Sequence, residues 1–305
     1  MTVSSVSDGP VSGGSPDEEA SPRPAALSPS RAADFMQCPL LYRFRVVDRL
    51  PEPPSPAAVR GTVVHAVLER LYDLPAAQRT VEEARALLGP QWDALRESDP
   101  ELAGLFGDDP DGHDAWLAEA GALVERYFDL EDPTRLEPAE RELYVTTELP
   151  GGLVLRGYVD RLDVAPGGDL RVVDYKTGRA PGLGFEAKAL FQMKFYALVL
   201  WRTRGVVPRM LQLVYLGNGE VLRYAPTEQE LEATERKVVA LWAAIRRAAE
   251  TGDWRPSPGR LCDWCHHRQL CPSFGGTPPP VPVDAVRLAS GAEAGRVAVP
   301  GRDED

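Results

Sequence analysis

The chain has 305 residues, a net charge of −12 and four cysteines, which allows one large domain or two small ones. No run approaches the roughly 20 apolar residues of a membrane span. The first residues also lack the basic start and apolar stretch of a secretory signal, so a cytoplasmic protein is expected.

The acidity is unevenly placed. Residues 73–142 carry 19 acidic and 6 basic side chains, whereas 143–272 carry 18 basic and 14 acidic. Phosphate binding needs local positive potential rather than a basic whole, so the sum does not exclude a nucleic-acid partner. Residues 1–26 and 274–305 are rich in Ser, Pro, Gly and Ala and poor in large apolar side chains. Both are expected to be disordered tails around a folded domain at 27–273.

In chain order, Ser28 as N-cap with Pro29 at the first helical position starts a helix, and Pro39 breaks it after Cys38. The Pro-rich 51–56 is a loop. A second helix follows with Val64, Val67, Leu68 and Leu71 as its apolar stripe, and His65 and Glu69 sharing a face beside it. Residues 73–140 form an acidic helical insertion. Two strands turn at Pro150-Gly151-Gly152, and a third follows Pro166-Gly167-Gly168. Next come a helix bearing Gln192 and Tyr196 at i, i+4, a hairpin through Gly217-Asn218-Gly219, and a long amphipathic helix ended by Gly252. Gly-x4-Gly-Lys-Ser/Thr does not occur, so there is no P-loop in the sequence.

Two constellations carry chemistry. The first is Asp160 with Asp174-x-Lys176. A two-residue turn at 166–168 would put Asp160 on the wrong parity, whereas a three-residue turn pairs 165 with 169 and sets Asp160 opposite Asp174. Opposed strand residues have Cβ atoms roughly 4.5–5.5 Å apart, and two carboxylates held that close repel unless a cation lies between them. Mg²⁺ or Mn²⁺ suits oxygen ligands, and with Lys176 such a group suits phosphodiester hydrolysis. The second is Cys262-x2-Cys265-x5-Cys271-Pro272, completed by Cys38. In a reducing compartment this is a metal site rather than a disulfide framework. Structural Zn²⁺ and an iron–sulfur cluster both remain open, with the Cys-Pro ending leaning toward iron–sulfur. Joining Cys38 to Cys271 closes most of the folded chain into one loop, at a cost of several kcal/mol in chain entropy.

Six motifs in order resemble the RecB-type nucleases of the PD-(D/E)XK superfamily: Ser30-Arg31…Phe35-x2-Cys38-Pro39-x2-Tyr42; Gly61-x3-His65-x3-Glu69; Gly157-x2-Asp160-Arg161; Asp174-Tyr175-Lys176-Thr177-Gly178; Gln192-x3-Tyr196; and the cysteine triplet. The resemblance spans about 27–272. It implies an α/β, restriction-endonuclease-like fold: a mixed sheet flanked by helices, with the insertion and an iron–sulfur clasp joining the two ends. It further implies that His65, Asp160, Asp174 and the Tyr175 carbonyl hold the metal and that Lys176 is catalytic. Gln192 and Tyr196 would line the site, with Glu69 and Glu142 as supporting acids. Cys38, Cys262, Cys265 and Cys271 match the ligands of a [4Fe–4S] cluster in AddB-like members. The implied activity is a metal-dependent DNA exonuclease acting on single strands or ends in DNA repair or recombination, with a separate helicase or repair factor as partner. A catalytically idle DNA-binding scaffold, an end-processing endonuclease of the CRISPR-adaptation kind and a zinc-clasped interaction module are the rival readings.

Overall fold

The computed structural model describes residues 26–107, 109–180, 182 and 186–289. The chain opens with β1 (Ala26–Leu27), α1 (Pro29–Gln37) and α2 (Pro39–Tyr42), which runs into a wide turn at Arg43–Val47. The Ser28 side chain caps α1 by accepting from the Arg31 backbone N–H, and Cys38 is the extended residue between the two helices. Then follow α3 (Pro56–Leu71), α4 (Val81–Ala86), α5 (Leu88–Ser98) and α6 (Pro110–Leu130). The sheet strands β2 (Glu140–Leu149), β3 (Leu153–Val164) and β4 (Leu170–Lys176) come next, and α7 (Glu186–Arg204) crosses over to β5 (Met210–Tyr215). After β6 (Glu220–Tyr224), α8 (Glu228–Thr251) is closed by Gly252 at φ 70°, and α9 (Ala285–Ala289) is the last element described.

The sheet is mixed. β2, β3 and β4 are antiparallel neighbours, β4 and β5 run parallel across the α7 connection, and β5–β6 is a hairpin. A parallel pair needs such a crossover because a tight turn cannot reverse the chain twice. Two apolar cores cover its faces. One contains Leu155, Val159, Leu162, Val172 and Leu213 under α1, α7 and α8. The other contains Val173, Tyr175 and Val214 under α3 and α6. The central strands read as near-continuous apolar runs because both faces are buried.

β3 has β2 along one edge and shares its other edge between β4, at residues 161–164, and β1, at residues 154–155. Between those pairings β3 and β4 part, and Asp160 stands at the fork. The Ala165 N–H donates to the Asp169 carbonyl (2.9 Å), leaving a three-residue turn in which Gly168 takes φ 88°. The odd-length turn expected from the parity argument is therefore present. The paired register ends at 161↔173, and beyond it the Asp160 side chain accepts from the Tyr175 N–H.

Three expectations need correction. Residues 274–289, expected as the start of a disordered tail, pack on the core instead. Ala285 and Ala289 are buried, Tyr42 Oη donates to the Ala289 carbonyl (2.7 Å) and the buried Arg43 donates to the Pro279 carbonyl. Ala26, placed in the N-terminal tail, belongs to β1, a strand too short to leave a periodic signal. The rest of both expected tails lies outside the described residues. Finally, the acidic segment at 73–140 is not merely a solvated appendage: Trp92, Trp116, Val124 and Tyr127 share the α3-side core, and Glu131 reaches beneath the sheet to Arg161.

Candidate metal centre at the strand fork

Glu142 is opposite Asp160 in the β2–β3 register, which runs 141↔161 and 143↔159. At this point the two strands exchange faces. Leu143 and Val159 pack on the α7-side core, while Arg141 bonds to the Glu69 carbonyl and to Asp73 on the α3 side. Glu142 makes the reversal by adopting φ 43°, a conformation that costs a non-glycine residue of order 1–3 kcal/mol and clusters at functional sites. Its carboxylate is thereby delivered toward α3, where His65 waits.

Among the described residues, one group of three metal-ligating side chains has donor atoms all within 4.8 Å of one another: His65, Glu142 and Asp160, all half-buried. His65 Nδ1 lies 3.5 Å from Asp160 Oδ2, and the ring stands edge-on to Tyr175 at 6.1 Å. Asp160 Oδ2 also accepts from the Tyr175 backbone N–H at 2.7 Å. Gly61, one turn before His65, lets α3 approach β4, since a Cβ there would meet Thr177 Oγ1 at 3.3 Å.

Asp174 sits on the other side of the fork. It is 2 % exposed, 2.6 Å from Lys176 Nζ, and its Oδ1 accepts from Gln192 Nε2 at 3.1 Å. Gln192 Oε1 accepts from Lys176 Nζ (3.0 Å) and Gln192 Nε2 also donates to Tyr196 Oη (3.2 Å). Tyr196 reaches this position because residue 157 is glycine, where a Cβ would fall 2.7 Å from Cε1 of the ring.

The electrostatics follow from three carboxylates converging on one imidazole. Burial opposes a charged His65, but Asp160, with help from Asp174 and Glu142, outweighs it and pushes His65 up to about 9. Burial and the Asp160 charge push Glu142 up to about 7. The same two causes push Asp174 up to about 6 against the pull of Lys176. Crowded acids that hold protons this tightly gain most from a cation that replaces those protons. Asp174 Oδ2 is ion-paired with Lys176 Nζ at 2.6 Å. The donor set of one imidazole and clustered carboxylates fits a divalent cation.

The structure thus gathers His65, Asp160, Asp174, Lys176, Gln192 and Tyr196 at one fork. It differs from the sequence reading over the tightest donor group, which contains Glu142 in place of Asp174, because Lys176 and Gln192 draw Asp174 to their side. Glu142, expected only as a supporting acid, had a legible signal. A three-residue turn at 150–152 pairs 149 with 153 and hence 142 with 160.

At the far end of the domain, Cys38, Cys262, Cys265 and Cys271 line one cavity of about 330 Å³, and none is in a disulfide. The Ser257 N–H points to Cys38 Sγ (3.4 Å) and the Gly259 N–H to Cys262 Sγ (3.3 Å). Burial raises the Cys265 thiol, against the pull of the His267 N–H.

The mixed sheet thus forks around an acid–imidazole group, with an Asp-x-Lys pair on the neighbouring strand. The family model of the PD-(D/E)XK nuclease superfamily matches residues 26–272, and the chain belongs to that superfamily. Two curated relatives are each named "Gene 69 protein". That of Mycobacterium phage D29 is 27% identical over 280 residues, covering 81% of this chain and 96% of the relative. That of Mycobacterium phage L5 is 23% identical over 287 residues, with the same coverage. A solved structure described as "Crystal structure of SSO0001" aligns over 82% of this chain and 87% of its own, at 14% identity and a TM-score of 0.38. Among the described residues, no helix is long and apolar enough to cross a membrane.

Proposed function

We propose that this chain is a Mg²⁺- or Mn²⁺-dependent deoxyribonuclease of the RecB-type branch, acting as an exonuclease on single strands or ends in DNA repair or recombination. The observation that carries the reading is the meeting of His65, Glu142 and Asp160 with the Asp174–Lys176–Gln192 cluster at one strand fork. His65, Asp160, Glu142 and Asp174 would hold the cation, with the Tyr175 carbonyl as a further oxygen ligand.

When bound, a divalent cation supplies polarisation of the phosphoryl oxygen and a lower pKa for the attacking water. The protein supplies the rest. Lys176 places an ammonium where it can orient the water or offset charge on the pentacovalent phosphorus. Gln192 fixes that ammonium by accepting from it while donating to Asp174, and Tyr196 fixes Gln192 in turn. Strand separation would come from a separate helicase or repair factor.

We assign a [4Fe–4S] cluster to the four cysteines, with structural Zn²⁺ as the alternative. One feature supports the larger group: peptide N–H groups are directed at two of the sulfurs, and such hydrogen bonds tune iron–sulfur centres.

The test compares wild type with Lys176→Ala on end-labelled linear and on circular single-stranded DNA in Mg²⁺ or Mn²⁺. Cleavage of the linear strand by wild type alone supports the assignment. Equal activity in both proteins would sink it, and cutting of circles would replace the exonuclease reading by the end-processing endonuclease one. Anaerobic purification adds a second readout: a brown protein carries iron–sulfur, a colourless one zinc.

A further inference from the structure

Beyond the fork, β2 and β3 continue as a two-stranded ribbon with unequal faces. Val145, Leu149, Leu153, Leu155 and Val159 are buried on the α7 side. The opposite face, which begins with Glu142 and Asp160, next presents Tyr144 and Tyr158. These two are cross-strand partners, 48% and 44% exposed, with ring centroids 5.2 Å apart and planes tilted by 53°. Two residues of strand separate them from the metal centre, or about 6.6 Å at the usual rise, a step comparable to one extended nucleotide. One pair further on come Thr146 and Arg156.

Exposed tyrosines of this size are unusual on a surface that hydrogen bonds do not explain, and here they adjoin positive charge. The half-buried Arg156 sits on the same face as the two rings, one pair further from the fork. An arginine beside an exposed aromatic pair supplies the parts of a single-strand track: bases stack on the rings while a phosphate meets the guanidinium. A duplex cannot use the rings, because its bases are already stacked on each other.

We infer that the Tyr144–Tyr158 pair, with Arg156 one strand pair further on, is the docking surface for the single-stranded DNA adjoining the scissile phosphate. The inference rests on the nuclease reading and deepens it by giving that site a structural source of strand preference. A purely structural cross-strand tyrosine pair would stabilise the hairpin and contribute nothing to binding.

The experiment uses the full chain in Ca²⁺, with intact DNA verified by gel, and fluorescence anisotropy on a labelled oligothymidine and on a blunt duplex of equal length. Tyr144→Ala/Tyr158→Ala is expected to weaken single-strand binding about ten-fold or more and to leave duplex binding within about two-fold. Tyr144→Phe/Tyr158→Phe, which keeps the rings, is expected to bind as wild type. The single Tyr158→Ala variant, expected to lose part of the same affinity, serves if the double alanine variant melts early. Single-strand affinity unchanged by the alanines, or lost equally for duplex, overturns the inference while leaving the nuclease reading intact. No binding of either DNA by wild type would sink both.

Discussion

Arg161 follows Asp160 in sequence, is 1% exposed, and is held from the acidic helical segment by Glu131. Its guanidinium meets both Glu131 carboxylate oxygens, at 2.7 and 3.0 Å, and Gln212 donates to the same acid at 2.8 Å. Removing one partner of a buried ion pair costs about 3–5 kcal/mol, because the other charge is stranded. Asp163, 3.1 Å from Arg161 Nε, and the hydroxyls of Tyr72, Tyr127 and Tyr175 remain after Glu131→Ala. The lower end therefore applies: about 3 kcal/mol, or roughly 6–12 °C in Tm for a domain of this size. Urea and thermal melting followed by circular dichroism measure it. Burial raises the Glu131 carboxyl, but hydrogen bonding from Arg161 reverses this and holds it below the usual range. Its stabilisation is thus present above the ordinary carboxylate pKa and lost as pH falls through the lower folded value, so the gap between wild type and variant should narrow in acid. Glu131→Leu with Arg161→Met, which removes both charges, should cost less than Glu131→Ala alone. A single variant melting within about 2 °C of wild type would refute the view that this segment clamps the sheet from below.

Lys176→Ala should lower DNA cleavage by about 10²-fold or more while Mn²⁺ binding, measured by calorimetry, persists. Metal binding should release about two to two and a half protons near pH 6, from His65, Glu142 and in part Asp174, and about one near pH 8, mainly from His65; calorimetry in buffers of different ionisation enthalpy counts them. The sign follows from the raised values of about 9 for His65 and about 7 for Glu142, and release that does not fall with pH would contradict it. Cys271→Ser should lower the Tm and abolish any visible absorbance, since the proposed clasp would close a long loop; an unchanged melt would remove its structural role. Gly157→Ala should lower activity more than stability by pushing Tyr196 away from Gln192, as the ratio of kcat/KM to ΔTm would show.

The part of the fold that could be read in advance was the part set by local rules. Ser28-Pro29 announced α1, Gly252 closed α8, and the two three-residue turns determined which residues face one another. Parity made the placing of Asp160 relative to Asp174 depend on turn length, and the three-residue turn is the one present. β1 escaped because two residues have no period, and residues 274–289 because their composition resembles a tail. Their order comes from long-range contacts, such as Tyr42 to Ala289, that no local pattern encodes. The role of the acidic segment was hidden for a similar reason. Its charge count is dominated by exposed side chains, while the one acid that matters most to the sheet, Glu131, looks no different from its neighbours in sequence.

Glu142 marks the boundary between the two kinds of information. Its register is local and follows from the Pro150–Gly152 turn, but register alone would leave a regular strand with alternating faces. In a regular strand, Arg141 and Leu143 would share a face. The positive φ at Glu142 instead sends Arg141 toward α3 and Leu143 toward α7. That reversal lets a single ribbon close the α7-side core, deliver two carboxylates to His65, and turn Tyr144 and Tyr158 outward beyond them. A residue without a left-handed preference is held in that state only if its surroundings over-determine it. The buried apolar run on one side and the Arg141 contacts on the other supply that constraint. The strain and the candidate site therefore meet at one residue, Glu142, beside the point where the pairing of β3 with β4 ends.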